Sequence, residues 1–186
     1  FSKVYQELKL NFADAADVTA EVELDGVDST VRPGGEILPE RAVDDLPTYV
    51  EALRKRKLGM PLITTAITKV SSPHAEEVLR TAKKMGVSHY RLGFVERDTS
   101  LPASKQVTEF KAWLKDLSAM NQQIGIGALV QNHSSGGKPT SIGANLPELV
   151  EIVSDCDPAH VGVAFDIGHA ILIHGREWRP WFDKLQ

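Results

Sequence analysis

Asp166-Ile167-Gly168-His169 is the strongest candidate for chemistry in this 186-residue chain. An Asp that ends the apolar run His160–Phe165, with a His three residues on, can aim a carboxylate and an imidazole into one site as acid/base groups or hard ligands. The competing reading is local: an Asp capping the next helix, with His169 merely nearby. Gln131-Asn132-His133 ranks second. Three consecutive hydrogen-bonding side chains leaving the buried run 125–130 suit recognition of hydroxyl groups. Alternatively they form a polar loop that stops the strand before Ser134-Ser135-Gly136-Gly137, a stretch read as flexible. Arg32 and Arg91 each fall near a strand end and could hold a carboxylate or phosphate in the forked guanidinium geometry. Salt bridges to Asp28 and Glu96 are the structural alternative.

Other polar groups read as structural. Glu96-Arg97-Asp98 looks like a solvated charged loop, and His74 and His89 like a helix-start and a strand residue. Trp178 and Trp181, around Pro180, read as packing or lid residues, with sugar stacking as the minor alternative. Cys156 lacks an adjacent basic partner that would make it a nucleophile.

The elements that must position these residues alternate between two hydrophobic periods. Helical spacing predicts helices over 11–22, 39–57, 73–85, 104–122 and 146–154. Pro47 is placed in a first turn, where its missing N–H costs little, and Gly86 at a helix C-terminus. Short β-branched or apolar runs predict strands near 26–31, 61–66, 88–94, 125–130 and 160–166. Strand starts recur every 27–37 residues, the length of a parallel βα unit, so the fold class is α/β with a helix-covered parallel sheet. No G-x-G-x-x-G or G-x-x-x-x-G-K-[ST] loop follows a strand, which removes a nucleotide cofactor and the doubly wound fold that would carry it. Polar residues at successive strand ends instead favour a (β/α)8 TIM barrel, incomplete, with five to six βα units visible.

Composition narrows the partners. Lys and Arg number 21 against 25 Asp and Glu, a net charge of −4, and no like-charge run provides a face for nucleic acid. One cysteine excludes an intrachain disulfide framework and a Cys-rich zinc site. No apolar run approaches the ~18 residues of a membrane span. The expectation is one soluble, cytoplasmic domain over 1–186. The start at Phe1 and the stop at Gln186 within a polar, helix-like stretch predict a fragment, with a strand missing upstream and the last strands missing downstream. Its open edges would need cover, for which a homo-oligomer is one source.

The segments Gly26-Val27-Asp28-Ser29-Thr30-Val31-Arg32-Pro33-Gly34-Gly35, Tyr90-Arg91-Leu92-Gly93, Gln131-Asn132-His133-Ser134 and Val163-Ala164-Phe165-Asp166-Ile167-Gly168-His169 resemble, in order, the xylose-isomerase-like TIM barrels. More narrowly, they resemble the sugar phosphate isomerase/epimerase branch. The resemblance implies a divalent metal (Mn, Mg, Co or Zn) held by Glu, Asp, His and Glu at strand ends. It also implies a proton moved next to a sugar carbonyl. Asp166 matches the metal-ligand Asp, and His169 the His that contacts metal or substrate. Gln131 stands where the first ligand Glu would be, and the remaining His and Glu would lie beyond residue 186. The implied site therefore comprises Asp166 and His169 as catalytic residues, Asp166 and Gln131 on the metal, and Arg32, Arg91, Gln131, Asn132 and His133 on a sugar-like substrate. The alternatives are a non-catalytic carbohydrate-binding barrel that has lost its metal site, and a relative of the abasic-site endonucleases.

Overall fold

A computed structural model describes residues 2–185. Its five strands run β1 Gly26–Val31, β2 Gly59–Thr65, β3 His89–Arg91, β4 Gly127–Gln131 and β5 Val161–Ala164, and they lie in one parallel sheet in chain order. The fold is the expected α/β arrangement, five of the eight strand–helix repeats of a barrel. Two compact units divide it, the first comprising residues up to 67, 71–90 and 124–126, and the second 68–70, 91–123 and the remainder from 127.

In the first unit, helix α1 (Lys3–Glu7) precedes α2 (Phe12–Glu21). Asn11 caps α2 by accepting from the backbone N–H groups of Ala13 and Asp14, each at 2.9 Å. β1 and β2 pair in register from Asp28 with Leu62 to Val31 with Thr65. At the start of that ladder, any Cβ on Gly26 would collide with the carbonyl of Gly59, so glycine lets the two backbones meet. A 3-10 turn over Pro39–Arg41 leads into α3 (Ala42–Arg54), which buries Leu46, Tyr49, Val50 and Leu53. Because the helix begins at Ala42, Pro47 lies in its interior and not in the expected first turn. The hydrogen bond it cannot donate would have gone to the carbonyl of Val43, a residue 48% exposed, where water can replace it. α4 (Ala75–Lys84) ends with Gly86 at φ 90°, as its expected role requires.

The second unit carries α5 (Ala103–Ile124), whose buried side includes Val107, Phe110, Leu114 and Leu117. β4 and β5 pair from Ala128 with Val161 to Gln131 with Ala164. The predicted strand 88–94 is cut to three residues. Leu92 N–H still reaches the Leu129 carbonyl at 3.0 Å, after which Gly93 and Phe94 leave the ladder. The last strand stops at Ala164, so Asp166 stands just beyond it.

α6 (Leu146–Val153) is capped by Asn145. Arg97, expected in a solvated loop, instead pairs with Glu148, and their side chains are only 20% and 13% exposed. Glu148 also accepts from Gly143 N–H at 2.6 Å, so the pair ties a loop to the first turn of α6. Arg97→Ala should therefore cost about 1–2 kcal/mol, read as a lower urea midpoint at unchanged slope. α7 (Ile167–His174) and α8 (Arg179–Phe182) complete the unit. Among the described residues, no helix is long and apolar enough to cross a membrane.

Candidate functional site

The candidate residues fall at or just after the C-terminal ends of their strands: Arg32 after β1, Arg91 ending β3, Gln131 ending β4, and Asp166 two residues after β5. Arg32 belongs to the first unit. There its N–H donates to the Ile37 carbonyl at 3.1 Å, and its carbonyl accepts from Gly35 N–H at 2.8 Å. Nearby on β1, Asp28 receives the Thr64 hydroxyl at 3.0 Å.

The second unit holds the other six, five of them gathered around Asp166. Asp166 caps α7, its Oδ1 accepting from His169 N–H at 3.0 Å, so the local capping reading describes real geometry. It does not exhaust the residue. Oδ2 accepts from Gln131 Nε2 at 3.1 Å, and the carboxylate remains 34% exposed. Asn132 is fully buried, and both ends of its amide serve Asp166: Nδ2 donates to the Asp166 carbonyl at 2.8 Å, and Oδ1 accepts from Asp166 N–H at 2.7 Å. The strand-to-helix turn is thereby locked from β4. Asn132 has the placement of a clamp, not of a group facing a substrate.

A column of flat groups flanks this carboxylate. The Arg91 guanidinium lies 4.6 Å over the Phe94 ring, the Phe94 and His133 ring centres are 4.4 Å apart, and those of His133 and His169 are 4.2 Å apart. Arg91 is 7% exposed and donates from Nη1 to the Leu92 carbonyl at 3.1 Å. Burial, with the His169 ring and the Arg91 charge beside it, pushes the His133 imidazole below the ordinary histidine range. His133 therefore enters neutral solution as an uncharged ring.

Phe94 and Ser134 escaped the sequence reading as functional residues. Ser134 lies in a Ser-Gly stretch expected to be flexible, yet it is 5% exposed, and its N–H and hydroxyl lie 3.2 and 2.9 Å from His169 Nδ1. The available signal was its place directly after Gln131-Asn132-His133. Trp178 packs with Phe165 and Phe182, ring centres 5.9 and 6.0 Å away, in keeping with a packing role. Burial raises the Cys156 thiol, which opposes nucleophilic use.

The donor set does not make a metal site. Among the described residues, no three His, Cys, Asp or Glu side chains converge to hold an ion. Gln131 directs its NH2 group at the Asp166 carboxylate, a donor where a cation would need a lone pair.

A second histidine is held neutral in the same unit. His174 Nε2 accepts from Leu146 N–H at 3.1 Å, and burial lowers its pKa. For His133 and His174 alike, the unfolded chain binds protons at a higher pH than the folded one. Stability should thus fall as pH drops below about 6.5, before carboxylates begin to titrate. Urea midpoints at pH 7.5 and 5.5 measure this, and His174→Gln, which can still accept from Leu146, should flatten the difference.

Comparison with known proteins adds family and fold. The family profile described as a xylose isomerase-like TIM barrel matches residues 16–185. No curated protein sequence matches the chain. Among solved structures, 3-keto-D-glucoside 4-epimerase from E. coli superposes with a TM-score of 0.70 at 12% identity, over 94% of this chain and 70% of that one. An AP endonuclease of family 2 from Brucella melitensis gives 0.72 at 16% identity, over 94% and 70%. D-psicose 3-epimerase from Clostridium cellulolyticum H10, crystallised with D-tagatose, gives 0.64 at 11% identity, over 89% and 61%. At such identities these likenesses speak for the fold alone.

Proposed function

This chain belongs to the xylose isomerase-like TIM barrel family, and on that premise we propose that its second unit serves a sugar isomerase or epimerase acting on a small hydroxy-carbonyl substrate. The observation that carries the reading is Asp166, a part-exposed carboxylate whose backbone and both oxygens are fixed by hydrogen bonds from Asn132, Gln131 and α7. A carboxylate held this way can take a proton from the carbon beside a carbonyl without reorganising. His169 and Gln131 stand next to it for the substrate oxygens, while His133 is assigned to the same ligand through its ring edge, since its ring lies between those of Phe94 and His169. Arg91 is assigned to the same ligand; Arg32 belongs to the first unit and is assigned, by itself, to an anion such as a phosphate. Asn132 is assigned to positioning. A metal-assisted version of this chemistry needs ligands that the described residues do not assemble.

Proton transfer beside a carbonyl exchanges the carbon-bound hydrogen with solvent. Incubation with D-fructose, D-tagatose and their phosphates in D2O, followed by proton NMR, should show deuterium entering next to the carbonyl of a preferred ketose. One observation favours a second reading: Gln131, which by resemblance stands where the family has a ligand Glu, presents its NH2 group to Asp166. Saturable ketose binding with no deuterium uptake would therefore put a non-catalytic sugar-binding barrel first. The abasic-site endonuclease reading has less support, since the chain's net charge is −4 and, among the described residues, no three metal-ligating side chains converge.

A further inference from the structure

We infer that Ser134 keeps Nδ1 of His169 bare and so fixes the ring proton on Nε2, making this ring a hydrogen-bond donor to a ligand oxygen and not a metal ligand or a base. Ser134 N–H lies 3.2 Å from His169 Nδ1, and a backbone N–H can only donate, so Nδ1 must be bare. The Ser134 hydroxyl, 2.9 Å from the same nitrogen, must then donate as well. Both donors belong to a residue that is 5% exposed, and the backbone one cannot rotate away.

The single ring proton is left on Nε2. That nitrogen is 3.9 Å from Asp166 Oδ2, too far for a hydrogen bond, so its N–H is free to meet a ligand. A cation would need a bare nitrogen, and the only bare one already accepts from Ser134. The matching ligand group is an oxygen lone pair, a carbonyl or hydroxyl, placed beside the Asp166 carboxylate. Identifying that oxygen as a sugar's rests on the function proposed above; the tautomer does not. Ser134 is a positioning residue in this account, reaching the ligand only through His169.

The tautomer is read directly by long-range proton–nitrogen NMR on the whole chain labelled with 15N-histidine, at pH 7.5 with no metal added. The expected His169 pattern is a bare, hydrogen-bonded Nδ1 and a protonated Nε2. A proton on Nδ1 overturns the inference whatever the protein binds. Ser134→Ala keeps the backbone donor and loses the hydroxyl, so the Nδ1 resonance should move toward that of an unbonded acceptor. Ser134→Thr should restore it, and an unmoved resonance in Ser134→Ala overturns the hydroxyl's role.

Titration with D-fructose supplies the second arm. His169→Gln, which retains an N–H donor, should bind within about fivefold of the parent, while His169→Leu should weaken binding about tenfold or more. Equal losses in the two variants contradict the donor role. A parent chain that binds no ketose overturns the sugar reading and leaves the tautomer result to stand or fall alone.

Discussion

Asp166→Asn is expected to lower deuterium exchange into a ketose by about 10²–10⁴-fold, the range over which a positioned proton acceptor contributes. Folding should change by less than about 1 kcal/mol, because Asn ranks with Asp as an N-cap and its Oδ1 can still accept from His169 N–H. The side-chain NH2 that replaces Oδ2 would face the Gln131 amide, which can rotate to present its oxygen. The capping role and the chemical role thus separate in a single variant. Urea unfolding reads the first and proton NMR in D2O the second. A folded Asp166→Asn protein with undiminished exchange would reduce Asp166 to a helix cap and remove the base from the proposed mechanism.

Gln131→Glu should transform the cluster's response to cations. It replaces a donor 3.1 Å from Asp166 Oδ2 with a second carboxylate, and two like charges at that distance cannot both ionise freely. One of the pair should then titrate well above the usual carboxylate range. A carboxyl whose folded pKa is raised binds more protons in the folded chain than in the unfolded one. The variant should therefore be less stable than its parent at pH 7, with the deficit closing as pH falls toward 5. A divalent ion relieves the same repulsion. Mn²⁺ should raise the variant's Tm and bind at least about tenfold more tightly than to the parent, an effect reversed by chelator. Calorimetric titration of both proteins checks this. Equal Mn²⁺ affinity would mean that residue 131 does not face Asp166 as a ligand would.

Much of the scaffold was legible residue by residue. The apolar runs around Ile63, Val130 and Val163 are strands because β-branched side chains suit a pleated sheet buried on both faces, and Leu46, Val50 and Leu53 are spaced for one helical face. Those are local properties, so they survive without knowledge of neighbours. The structure departs from local expectation where a neighbour decides. The strand expected over 88–94 ends at Arg91, and Arg97 left its expected solvated loop for Glu148, 51 residues further on.

The sequence by itself determined the alternation of strands and helices and which polar residues arrive at strand ends, since period and turn chemistry act over a few residues. Tertiary structure alone decided what those residues do to one another. Asn132 and Asp166, or Ser134 and His169, are 34 and 35 residues apart and meet because β4 pairs with β5 in a register that sets Gln131 beside Ala164. A shift of one residue in that ladder would turn each side chain to the opposite face of the sheet. The clamp on Asp166 and the proton position on His169 are consequences of that register, and no local pattern encodes it.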